Sequence, residues 1–164
     1  MPIYKNTYTN YLHLVSENVK NGIAYEEEWV KYLRKQYPNI KSLKDDEFSI
    51  FDARSVENGQ KFQFELKTRK EINHNTYPTL MVGVNKIKKA IIDLKKNIRT
   101  IFFWNCKDGL YYWEITEENK KEGSWFFNEG EYYISEGGNE KIGQTPKLIA
   151  YIRKEYLKRY NYLE

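Results

Sequence analysis

Two carboxylates and one amine lie close together in this chain: Asp52, Glu65 and Lys67. The stretch that holds them, residues 47–69, reads EFSIFDARSVENGQKFQFELKTR. At its centre is Asn58-Gly59, a pair that tolerates the positive φ angles of a two-residue hairpin turn. If that turn closes, Glu57 faces Gln60 and each outward step pairs the next two residues. Asp52 then falls opposite Glu65, with Cβ atoms about 4.5–5.5 Å apart. Side chains alternate along a strand, so Lys67 shares the face of Glu65. Phe51, Ala53, Phe62, Phe64 and Leu66 fall on the other face, the expected core side. Two opposed carboxylates repel, and a divalent cation between them removes the conflict. A hard cation such as Mg2+, or Mn2+ in its place, takes oxygen ligands: one or two carboxylates, waters and a substrate phosphate. Lys67 beside it would stabilise developing charge or orient a water. This is the apparatus of metal-assisted phosphodiester hydrolysis.

Asp52, a gap, then Glu65-Leu66-Lys67 resembles the motif of the PD-(D/E)XK nuclease superfamily, the restriction-endonuclease-like proteins, including small phage or mobile-element members. The strand before it reads Phe51-Asp52-Ala53, so the proline of the family name is missing. The resemblance covers residues 22–116. It implies an α/β fold: a restriction-endonuclease-like core with a central mixed sheet, element order αβββαβ, flanked by helices, here with extra C-terminal strands and a helix. It also implies a Mg2+-dependent endodeoxyribonuclease whose products carry a 5′ phosphate. Asp52 and Glu65 would bind the metal together with the backbone carbonyl of Leu66, and Lys67 would position or activate the attacking water. Members often place a helical glutamate near the metal shortly after a glycine. Gly22 and Glu26 match that spacing, so Glu26 joins the expected catalytic set, although Glu26, Glu27 and Glu28 also suit the first turn of a helix for its dipole alone. Members often face a Gln, Lys or Tyr from the second helix toward the site, a place that Lys86 takes as a phosphate contact. DNA is the implied partner, and a homodimer suits the cutting of two strands.

The elements that must position these residues follow from spacing. Tyr4, Tyr8, Leu12, Val15 and Val19 predict a helix over 4–20. A second helix spans 23–36 with Ile23, Trp29, Val30 and Leu33 inward, ended by Pro38-Asn39. Residues 41–46 read as a polar connector into the hairpin. After it, residues 71–77 (EINHNTY) form a polar loop, where Arg69, Lys70, Asn73 and His74 would touch nucleic acid. A short strand is expected at 77–82, then a helix over 86–97 capped by Asn85, with Ile87, Ala90, Ile91 and Leu94 inward. The unbroken apolar run at 100–104 predicts a central strand buried on both sides. Lys107-Asp108-Gly109 turns the chain into a strand at 110–115. Residues 117–130 read as an acidic loop with Trp125, Phe126 and Phe127 docked on the core, 131–135 as an edge strand and 136–144 as a loop. Pro146 would open a final helix to residue 160, with Leu148, Ile149, Ile152 and Tyr156 on one side.

Composition bounds the reading. The 164 residues, 40% hydrophobic and 30% charged, suit one packed domain over 1–164. Cys106 is the only cysteine, which rules out an intrachain disulfide or a cysteine zinc site and fits a cytoplasmic protein, in the host cytoplasm if phage-encoded. No apolar run approaches the ~18 residues of a membrane span, and no signal-peptide pattern opens the chain. The net charge is +4, and its distribution is uneven. Residues 61–107 carry eleven basic and three acidic side chains, whereas 108–140 carry two basic and nine acidic. A basic block after the Glu-x-Lys strand suits phosphate. Two other readings stay open. One is the same fold binding nucleic acid without cutting it, through that block and exposed tyrosines. The other is a protein-interaction or inhibitor module whose acidic stretch meets a basic partner.

Overall fold

The structure, a computed structural model, describes residues 29–43, 49–121, 123–135 and 145–161. The helix expected at 4–20, the first half of the one at 23–36 with Glu26, and the loop at 136–144 lie outside the described residues.

The hairpin forms where Asn58 and Gly59 take φ of 50° and 81°. It joins β2 (Ala53–Glu57) to β3 (Gln60–Arg69), in register from Glu57 opposite Gln60 to Ala53 opposite Phe64. Just past the end of β2, the Asp52 N–H still donates to the Phe64 carbonyl at 2.9 Å. β1 (Lys41–Ser42) adds to the other edge of β2, so the expected polar connector begins as a strand. β5 (Ile98–Cys106) runs parallel to β3. β6 (Gly109–Glu114) returns antiparallel to β5, and β9 (Lys158–Arg159) closes the far edge. The mixed six-stranded sheet has the order β1-β2-β3-β5-β6-β9. Ile101 to Trp104 of β5 are each no more than 3% exposed, as the unbroken apolar run requires.

Between β3 and β5 the chain makes β4 (Thr79–Gly83) and helix α2 (Val84–Leu94). The strand expected at 77–82 is thus present, but it does not join β3. It pairs with β8 (Thr145–Arg153), which pairs with β7 (Trp125–Ser135), in a second sheet of order β4-β8-β7. β8 overturns the expected C-terminal helix. Leu148, Ala150 and Ile152 point alternately into the core, a period of two that Ile149 between them disguised. Ladders on both sides of β8 then decide the conformation. Tyr156, expected inward, is 53% exposed in the 3₁₀ turn Lys154–Tyr156. The acidic loop likewise ends early, because Trp125, buried on the core as expected, already belongs to β7, the edge strand of its sheet. α2 starts two residues before the expected position: Gly83 is the N-cap, and Asn85 lies in the first turn.

Apolar residues gather on both faces of the large sheet. Trp29, Val30 and Leu33, from the helical residues 29–33 (α1), cover Ala53, Phe62, Phe64, Leu66 and Phe103. On the other face, α2 and the second sheet cover Phe102, Trp104 and Trp113. The result is a strand-rich mixed α/β architecture.

The turn supplies a test. Nothing lies within 4 Å of a Cβ placed on Gly59, so Gly59→Ala costs only its left-handed backbone, about 1–2 kcal/mol. A thermal melt is expected to fall by several degrees, while Asn58→Gly leaves it nearly unchanged.

Candidate active site

β3 is buried on both sides, and alternation sorts its residues. Phe62, Phe64 and Leu66 enter the α1 cluster, while Gln63, Glu65 and Lys67 face α2. Glu65 lies level with Phe102 of β5 and is 3% exposed. A carboxylate buried so far costs several kcal/mol unless countercharges accompany it. Two do. Lys67 Nζ lies 3.1 Å from Oε1, and Lys86 Nζ lies 3.1 Å from Oε2. Oε2 nonetheless takes no hydrogen bond, so its contact with Lys86 is ionic only. Both lysines are partly exposed, at 29% and 21%, which opens the carboxylate's surroundings to solvent.

Asp52 is half-buried at the end of the hairpin. Its Oδ2 accepts the Leu66 N–H at 2.7 Å. The N–H and C=O of one strand residue point the same way. The Leu66 carbonyl therefore also points past the end of β2, toward Asp52. Phe51 departs from expectation. It packs on the α2 face, edge-on to Phe102 at 6.4 Å and 5.5 Å from Lys86 Nζ, rather than with Phe62 and Phe64. Regular alternation begins only at Ala53, after a bend at 50–52.

A buried carboxylate that is not among the expected site residues fixes α2 against the sheet. Asp93, 2% exposed, binds Lys89 Nζ at 2.8 Å and Gln63 Nε2 at 2.9 Å. The same Gln63 nitrogen donates to Thr100 Oγ1 at 2.8 Å. This network ties α2 to β3 and β5. The signal was an Asp three residues after Ala90 on an apolar helix face, with a Lys four residues before it.

The remaining expected residues are more dispersed. Arg69 ends β3 on the face of Glu65 and Lys67, its guanidinium donating to the Thr68 carbonyl. Lys70 lines a separate cavity of about 270 Å³ with Trp29, Tyr32 and Lys107. Asn73 forms a turn with Thr76. His74 is committed to the β5–β6 turn. Its backbone N–H and its Nδ1 both bind the Asp108 carboxylate, and its ring stacks on Tyr111 at 4.1 Å. Burial pushes the Asp108 carboxyl up, but the His74 hydrogen bonds outweigh it and hold the group below its usual range. Burial, first, raises the Cys106 thiol to about 11, so it is no nucleophile at neutral pH.

Glu65 Oε2, buried and lacking a hydrogen bond, and the Asp52 carboxylate held on the Leu66 N–H are oxygen donors of the kind a hard divalent cation takes. Among the described residues, no three His, Cys, Asp or Glu gather into a metal-holding group. No helix among the described residues is long and apolar enough to cross a membrane. No protein-family model matches this chain, and neither a curated protein nor a solved structure matches it.

Two outcomes follow from this geometry. Glu65→Gln strands two ammonium groups and is expected to lose on the order of 1–3 kcal/mol, less than a fully buried pair because the lysines reach water. In a double-mutant cycle by urea unfolding, the loss shrinks when Lys86→Met is added. Asp108, with its folded pKa depressed, contributes stability above the ordinary carboxylate range and loses it as the pH falls through the lowered value. Asp108→Asn is therefore expected to melt below the parent at pH 7, with the gap closing below about pH 4.

Proposed function

We propose that this chain is a Mg2+-dependent endonuclease that hydrolyses phosphodiester bonds of DNA, on a restriction-endonuclease-like core of the PD-(D/E)XK kind. The observation that carries the reading is the buried Glu65 carboxylate between Lys67 and Lys86, beside an Asp52 fixed on the Leu66 N–H. Asp52, Glu65 and the Leu66 carbonyl would hold the metal. When bound, it supplies Lewis-acid stabilisation of the phosphoryl oxygens and a more acidic water.

The chain's own residues do the rest. The Lys67 ammonium, held by Glu65 Oε1, orients the attacking water and offsets charge developing at phosphorus. Lys86 approaches Glu65 from the first turn of α2 and would take the scissile phosphate. Arg69, on the same face of β3, extends the cationic surface along the bound DNA. Asp52 and Glu65 are balanced by Lys67 and Lys86, so an added divalent cation brings excess positive charge that a phosphodiester anion offsets. Metal and substrate are thereby coupled. The same pairing is also what favours the second reading, a nucleic-acid-binding protein that does not cut, because Glu65 is already neutralised without a metal.

The test is nicking of plasmid and branched DNA with Mg2+, with EDTA as the control. The parent is expected to cut. Lys67→Ala and Asp52→Asn are expected to lose about 10²-fold or more. Asparagine is preferred to alanine at 52 because it keeps an acceptor for the Leu66 N–H. Equal cutting by all three would sink the assignments, and no cutting by the parent would favour the binding reading.

A further inference from the structure

Away from the carboxylates, a trough of about 1050 Å³ opens beside α2 and extends past the β1–β2 edge of the sheet to Arg34 and the turn after α1. Six cationic side chains line it: Arg34, Lys41, Arg54, Lys61, Lys89 and Lys96. Its one carboxylate among the described residues, Asp93, is buried and satisfied by Lys89 and Gln63. The remaining five cations are exposed.

Their placement is unfavourable for the protein alone. Lys41 and Arg54 are direct ladder partners, and like charges directly opposite destabilise a sheet. An anion lying across both reverses the sign of that interaction. Arg54 is in turn level with Gln63, which precedes Glu65 by two residues on the same face, about 6.6–6.8 Å along the strand. The cationic row is therefore the next row of side chains after the candidate centre. Ile50 and Val56 stand in the same trough, 36% and 48% exposed. A duplex hides its base faces, whereas a single strand presents them to apolar side chains while its phosphates meet cations.

We infer that this trough binds one strand of nucleic acid, through its phosphates on Lys41, Arg54, Lys61 and Lys96 and its bases on Ile50 and Val56. The strand's course toward Glu65 rests on the nuclease reading, but the binding does not. Held there, a single-stranded end or flap would enter the centre from the hairpin side.

The experiment is fluorescence anisotropy in EDTA with a labelled single-stranded oligonucleotide, the matching duplex and a polyglutamate peptide. The parent is expected to bind the single strand, and to bind it more tightly than the duplex. Arg54→Glu with Lys61→Glu is expected to bind at least 10-fold more weakly, with a salt slope shallower by about two phosphate contacts. If that pair of changes impairs folding by circular dichroism, Lys96→Glu in the turn after α2 replaces it, with the loss of one contact expected. Undiminished binding by the folded variant, equal or tighter binding of the duplex, preference for polyglutamate, or no oligonucleotide binding by the parent at low salt would each overturn the inference. Strand binding in EDTA by a parent that never cuts with Mg2+ would sustain it and defeat only the nuclease reading.

Discussion

A carboxylate at the middle of a sheet covered on both faces must bring its countercharges with it. Much of the chain around Glu65 answers that requirement. β3 supplies one ammonium itself, two residues on, at Lys67. The second has to come from a different element, and only a helix whose first turn stands over the strand can deliver Lys86. The extended backbone of Gly83 sets where α2 begins, and the Gln63–Asp93 bond sets how it lies. Phe51 then fills the space beside Lys86, which accounts for the bend before β2.

The two faces of the sheet divide the work. On the α1 face, Tyr37 packs edge-on to Phe62 and Phe64 at 5.1 and 4.8 Å, and Phe64 meets Phe103 at 6.1 Å. Burial raises the Tyr37 hydroxyl to about 12, and the charges beside it, Arg99 and Glu114, pair with each other at 2.7 Å at the rim of that face. The α2 face instead contains Glu65, Asp93 and Thr100 among its apolar side chains. One side holds β3 rigid, and the other exposes a polar seam to α2. Such a division keeps a carboxylate in a fixed orientation without asking the polar side to supply the stability.

Local signals were legible and long-range ones were not. Asn58-Gly59 fixed the hairpin and its register, and the run at 100–104 revealed the central strand. Both depend on residues that meet close neighbours. The lysine facing Glu65 from α2 also lay at the expected position. The second sheet was invisible because β4 pairs with β8, distant in sequence, and no turn announces it. Leu148, Ile149 and Ile152 satisfy helical and extended spacing alike, so only those partners decide. Asp93 escaped notice because a lone acid on a helix usually faces water. His74, read as a nucleic-acid contact, is held by Asp108, which stands on another turn.

The short distance from the Asn58-Gly59 turn to Glu65 has an evolutionary corollary. Deleting or inserting one residue in that interval would exchange the two faces of β3. Glu65 would be driven among Leu33, Tyr37 and Phe103, while phenylalanines would confront Lys86 and Asp93. Divergence within this segment is therefore channelled into replacements of equal length, and changes of length are displaced to loops such as 71–77 or 116–121, where no alternating pattern has to be kept.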